Sequence, residues 1–157
     1  TVNFPSKMDS SLYVDYRAVF RSIVFATDNK NLQFRLSDDN GVSYETASYA
    51  WGQDNINLHT SITSTLTGAE NSGYVQFMSN VGNVASTDGA SGEVYICDPH
   101  NASTHTFGWA RASWNRHDDV KYGVDVWWER AVNADHNSIR FYSNSGNITS
   151  GEIGNLK

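Results

Sequence analysis

Apolar side chains in this chain recur at every second residue and are interrupted by polar turns, a period that suits strands and not helices. Ser138–Leu156 shows this most clearly. Ile139, Phe141 and Ser143 fall on one parity, and Ser138, Arg140 and Tyr142 on the other. The alternation restarts at Ile148, Glu152 and Ile153 after a loop rich in Gly, Asn and Ser. The stretch reads as two strands closing a sheet, with Gly146, Asn147, Ser150 and Gly151 as turn formers that set the register. It also has an echo. Gly82-Asn83-Val84 followed by Ser91-Gly92-Glu93-Val94 resembles Gly146-Asn147-Ile148 followed by Ser150-Gly151-Glu152-Ile153, so one kind of strand start is expected twice.

The remaining segments read the same way. From Ser11 to Phe25, Leu12, Val14, Tyr16, Ala18 and Phe20 share a parity and form the expected core face of a long strand. Thr27–Lys30 is a polar turn. Leu32, Phe34 and Leu36 alternate with Gln33 and Arg35, which predicts a short strand with one wet face. Residues 47–73 are polar and read as a loop followed by an irregular or short strand. Tyr74–Met78 and Glu93–Cys97 are strands, the second stopped by Asp98-Pro99 because proline lacks a ladder donor. Thr104–Trp114 places Phe107 and Trp109 on one parity, and Tyr122–Arg130 is rich in aromatics. Turns at such regular spacing suggest a sandwich. The expected fold is all-β, an antiparallel β-sandwich of jelly-roll-like form, in one domain over residues 1–157.

Composition narrows the function. The chain has 157 residues, enough for one substantial core, and 13 % of them are aromatic. A formal charge of −6 argues against a nucleic-acid partner, which would be held by clustered Lys and Arg. No run approaches eighteen apolar residues and the N-terminus lacks the regions of a signal peptide, so the chain as given reads as soluble, without membrane insertion. Its first residue is Thr1, which leaves processing and a preceding segment both open. The single cysteine, Cys97, lies in the apolar run Val94–Cys97 and is read as a buried structural thiol.

Chemistry-bearing residues are numerous but unorganised. His59, His100, His105, His117 and His136 show no metal-binding spacing, so neither a metal nor a cofactor is assigned; most fall in expected turns, where exposure is expected. Asp118, Asp119, Asp125 and Glu129 lie near Trp114, Trp127 and Trp128, yet no pair stands out as the acid and base of a glycosidase. No Gly-x-Ser-x-Gly occurs. No catalytic residue is assigned, and the chain is read as a non-enzyme. Ser37-Asp38-Asp39-Asn40-Gly41-Val42-Ser43-Tyr44 resembles the Asp-box of β-hairpins, in which Asp39 would accept backbone N–H bonds and Gly41 would take positive φ; it is read as a structural turn. Trp51, Trp109, Trp114, Trp127 and Trp128 are the candidate contacts to a glycan or protein partner. Most aromatics are expected in the core or at subunit interfaces, but adjacent Trp127 and Trp128 must point to opposite faces of a strand.

In order and spacing, several segments resemble a β-sandwich module of virion surface proteins in tailed bacteriophages of marine and cyanophage type. They are Tyr13–Tyr16, Leu32–Asp38, Tyr44–Trp51, Ser91–Ile96, and Ile139–Phe141 running into Ser145–Ile153. Such modules commonly end with Leu-Tyr-Gly, whereas this chain ends Leu156-Lys157. The resemblance implies a place on the virion surface as a capsid decoration, knob or tail-fibre domain, without enzyme activity. Its implied partners are other virion proteins and further copies of the chain, in trimers or symmetric clusters. A carbohydrate-binding role toward bacterial surface glycan is the second expectation, carried by exposed Trp.

Overall fold

Strands form where the alternation predicts them and in some places where it does not. The computed structural model describes residues 1–4, 8–9, 13–58, 62–84, 89–116, 118 and 120–154. Among these are β1 (Val2–Phe4), β2 (Tyr16–Phe25), β3 (Lys30–Ser37), β4 (Tyr49–Leu58), β5 (Ile62–Ser72) and β6 (Val75–Val81). The series continues with β7 (Ala90–Cys97), β8 (His105–Asn115), β9 (Lys121–Asn133), β10 (Ser138–Ser143) and β11 (Ile148–Gly154). The described residues include no helix.

All pairings are antiparallel and build two sheets, one ordered β1-β10-β3-β6 and the other β11-β2-β7-β8-β9-β4-β5. With β8, β9 and β11 set aside, the pairs β1:β10, β2:β7, β3:β6 and β4:β5 nest inside one another. That is the pairing of one long hairpin rolled into two facing sheets, the jelly roll. The β8–β9 hairpin widens the second sheet between β7 and β4.

The core fills the space between the sheets. Tyr16, Ala18 and Phe20 of β2, Val94 and Ile96 of β7, Trp114 of β8 and Val126 and Trp128 of β9 face Leu32, Phe34, Leu36, Phe77, Ile139 and Phe141 of the smaller sheet, and all are buried. Aromatic rings lock the layers together. Phe141 meets Phe20 edge-on at 4.7 Å, and Phe34 meets Trp128 at 4.9 Å.

Several expectations need correction. Ser138–Leu156 is not a hairpin within one sheet: β10 lies between β1 and β3, while β11 pairs with β2 in the other sheet. A strand has only two edges, and both edges of β10 are taken. Gly146 (φ 74°) turns the chain across, and Gly151 (φ 119°) sits at a register shift where a Cβ would lie 2.7 Å from the Ile23 Cα. The sequence echo has a spatial meaning, because β7 and β11 are the two neighbours of β2. β2 begins at Tyr16, not Ser11, and Val14 is 69 % exposed; Leu12 lies outside the described residues.

Residues 47–73 hold two long strands, not a loop and a short one. β5 buries neither face, so it shows no apolar alternation; its repeated Thr favours extended backbone without it. The sheet of seven strands is wider than the sheet of four, and β5 projects as the tip of a wing. Its inner side turns polar there: Gln53 and Asn55 bond each other at 3.2 Å, and the Asn55 amide donates to Thr67 Oγ1 at 3.3 Å. The expected wet face of β3 is covered instead, with Gln33 buried and Arg35 donating to the Gly73 carbonyl at 2.7 Å.

Histidine exposure also departs from expectation. His136 is fully buried, with Nδ1 2.8 Å from Thr106 Oγ1, and His100 is largely covered beside Tyr16 and Asp135. His59 and His117 lie outside the described residues. Burial, followed by the nearby Arg130 charge, pulls the His136 pKa from 6.5 to about 4. Protonation therefore favours the unfolded chain. This contribution is complete above pH 6.5 and is lost as pH falls toward 4, amounting to at most about 3 kcal/mol. Urea titrations from pH 7.5 to 4 are expected to show that loss, and His136→Gln should flatten it; an equally steep loss in the variant would assign it elsewhere.

Candidate functional site

The two outer faces of the sandwich differ. On the smaller sheet, Arg140 covers the Tyr44 ring at 4.3 Å and the Glu45 N–H donates to the Leu36 carbonyl, so the 38–48 segment packs over its own sheet. Within that segment Asp39 accepts the Ser43 N–H at 2.9 Å, the Ser43 hydroxyl at 2.6 Å and the Ser37 hydroxyl at 2.7 Å. Hydrogen bonds from Ser43 and then Ser37 hold its carboxyl down to about 2. Asn40 (φ 61°) and Gly41 (φ 83°) make the turn. Both Asp39 oxygens are engaged by the loop itself, an arrangement suited to rigidity.

The outer face of the larger sheet lies open. Strand registry puts Arg17, Tyr95, Trp109, Trp127, Gly52 and Gly68 in one row across it, from β2 to β5. Tyr95 and Trp109 are stacked 5.4 Å apart with rings 2° from parallel, and the Arg111 guanidinium lies 5.4 Å from the Trp109 ring. Trp127 is 60 % exposed, and Phe107, in the adjoining row, is 52 % exposed. Beyond Trp127 the row has no side chains. The glycines leave a trough of about 820 Å³ whose walls include Trp127, Phe107, Glu129 and Glu70.

The five tryptophans therefore separate. Trp127 is the exposed contact and Trp109 its half-buried neighbour in the row. Trp51 is half-buried beside the trough. Trp114 and Trp128 are core residues at 3 % and 4 % exposure, which corrects their reading as contacts. The reason is parity, since Trp128 packs inward on Phe34 while Trp127 points outward. Sequence reasoning placed Phe107 and Trp109 on one parity but lacked the face. Gly52, Gly68 and Glu70 were missed because they fell in the segment read as irregular; the signal was Trp51-Gly52, a large side chain followed by none.

The remaining candidates are structural or dispersed. Asp125 is tied to Arg111 at 2.6 Å and Asp118 to Arg116, which lowers the Asp118 pKa to about 2. Asp119 lies outside the described residues. Asp125 and Glu129 are four residues apart on one strand, roughly 13 Å along the backbone, and do not face each other across a cleft. Cys97 is half-buried on the outer face, not fully buried; partial burial and then Asp15 raise its thiol pKa. Among the described residues no group of three or more His, Cys, Asp or Glu is placed to hold a metal ion.

Fold and face together define an antiparallel jelly-roll sandwich with one covered and one open aromatic surface. No protein-family model, curated protein or solved structure matches this chain.

Proposed function

We propose that the chain is a non-catalytic structural module of the particle surface of a tailed bacteriophage, joined to a second copy through the β4–β5 wing. The ordered resemblance of its segments to such modules and the jelly-roll pairing support the particle assignment. The observation that carries the assembly role is β5 itself. It is an eleven-residue edge strand exposed on both faces, with Ile62 at 79 % and Leu66 at 78 % exposure. Native edge strands are usually blunted by Lys, Pro or a covering element, and β5 has no Lys, Arg or Pro. A second copy suits it because the strand is self-complementary. Antiparallel pairing about Leu66 sets Ser64 opposite Gly68, Thr65 opposite Thr67 and Ile62 opposite Glu70, each on a common face, with no like charges opposed.

Light scattering of the purified chain is expected to give twice the monomer mass, falling to one copy for Leu66→Lys with an unchanged far-ultraviolet circular dichroism spectrum, since the variant keeps its fold and loses only the stabilisation that a partner supplies. A monomer, a three-copy mass, or a pair insensitive to Leu66→Lys overturns the two-fold pairing. The particle assignment is tested separately by locating the domain in a reconstruction of intact virions. Density elsewhere than on the exterior overturns it.

A further inference from the structure

The trough beside Trp127 carries an inference that goes beyond assembly and does not depend on the particle assignment. We propose that it binds a neutral saccharide, with the Trp127 indole as the stacking surface for one sugar ring. Trp127 stands between two hollows, the trough on one side and a space of about 330 Å³ toward Trp109 and Arg111 on the other. An indole so placed offers its π face to the C–H face of a pyranose.

The floor fits a flat ring. Gly52 lies directly across from Trp127, and Gly68 across from Gly52, so bare backbone lies beside the indole. A Cβ on Gly52 would find nothing within 4 Å, so the space is open. A Cβ on Gly68 would come within 2.6 Å of the Trp51 carbonyl oxygen, so that position stays bare. A volume of about 820 Å³ holds more than one ring and lies within the usual range for small-molecule sites.

The polar groups set the ligand class. Glu129 and Glu70 line the trough and, when ionised, only accept hydrogen bonds, which suits sugar hydroxyls. Among the described residues no Lys, Arg or His lines it. Nearby Arg111 is committed to Asp125 at 2.6 Å, and His105 faces Glu129 at 3.5 Å. In a chain of charge −6, this site repels uronic, sialic and sulfated sugars and admits neutral or N-acetylated ones. A protein partner would seat on a broad apolar patch, whereas the exposed rings here are Trp127 and Phe107 amid glycine and carboxylate.

The experiment titrates the full chain with cellotetraose, mannotetraose and chitotetraose, and with tetragalacturonate as the acidic comparator, followed by amide chemical shifts and Trp fluorescence. At least one neutral tetramer is expected to bind saturably and shift the Gly52 and Gly68 amides. Trp127→Ala and Gly52→Leu, the latter filling open space, should each weaken binding about tenfold or more at unchanged melting temperature. Tetragalacturonate should bind more weakly than that neutral tetramer. Leu66→Lys should leave saccharide affinity unchanged, which separates this site from the subunit contact. The proposal is overturned if no neutral tetramer shifts these amides, if both variants bind as the parent does, or if the acidic tetramer binds most tightly. It also fails if the amides respond only to rising protein concentration, for the trough then receives another copy of the chain.

Discussion

Phe141→Ala is expected to destabilise the fold by about 3–5 kcal/mol, a large share of the 5–15 kcal/mol typical of a domain. Phe141 is fully buried in β10 and its ring meets Phe4 at 6.2 Å, Phe20 at 4.7 Å, Phe34 at 5.9 Å and Phe77 at 6.3 Å. These rings come from both sheets, so the cavity would open where the layers meet and neither sheet could collapse into it alone. Urea denaturation is the measurement, with Val42→Ala, at a side chain 87 % exposed and outside the subunit contact, as comparator, expected within about 0.5 kcal/mol of the parent. A Phe141→Ala loss below about 1 kcal/mol would mean that the layers repack.

The second large effect is expected from Glu45→Ala, at about 3–5 kcal/mol. Arg130 is 4 % exposed, its Nη2 donates to Glu45 at 2.7 Å, and its guanidinium lies 5.3 Å from the buried Tyr49 ring. Its Nε and Nη1 have no hydrogen-bond partner among the described residues, and Glu45 is its ion-pair partner. Removing the carboxylate strands a buried cation. Burial also pushes the Tyr49 hydroxyl pKa upward, and that hydroxyl accepts the Leu36 N–H at 2.7 Å, so charge, ring and strand form one unit. Glu45→Ala combined with Arg130→Met is expected to recover most of the loss, because the charge leaves with its partner. A double variant as unstable as Glu45→Ala would show that packing of the Arg130 stem, not its charge, is what matters.

Legibility in the sequence followed burial. Ile139, Phe141, Leu32, Phe34 and Leu36 alternate because one side of each strand meets the core, and their strands were readable. β5 has no buried side and left no such trace. Partner choice was harder still. Ser138–Leu156 reads as a hairpin because adjacent strands often pair, and nothing local records that β1 and β3 already flank β10. The tryptophans show the same limit. Adjacency required Trp127 and Trp128 to diverge, but which one faces solvent depends on where the four-stranded sheet lies. The trough needed more, since its walls come from β4, β5, β8 and β9 and its floor is an absence of side chains.

The inserted β8–β9 hairpin has a consequence for how such a sheet can grow. Without it β7 and β4 would be neighbours running in opposite directions, and with two strands between them they still do. A single added strand would force one parallel pair and reverse the heading of everything downstream. Two strands restore the direction of travel, so β10 still enters the facing layer as if the hairpin were not there. Width inserted between β7 and β4 therefore comes in even steps, whereas an outer edge such as that of β2 can take the single strand β11, and each inserted step lengthens the open face without rewiring the roll beneath it.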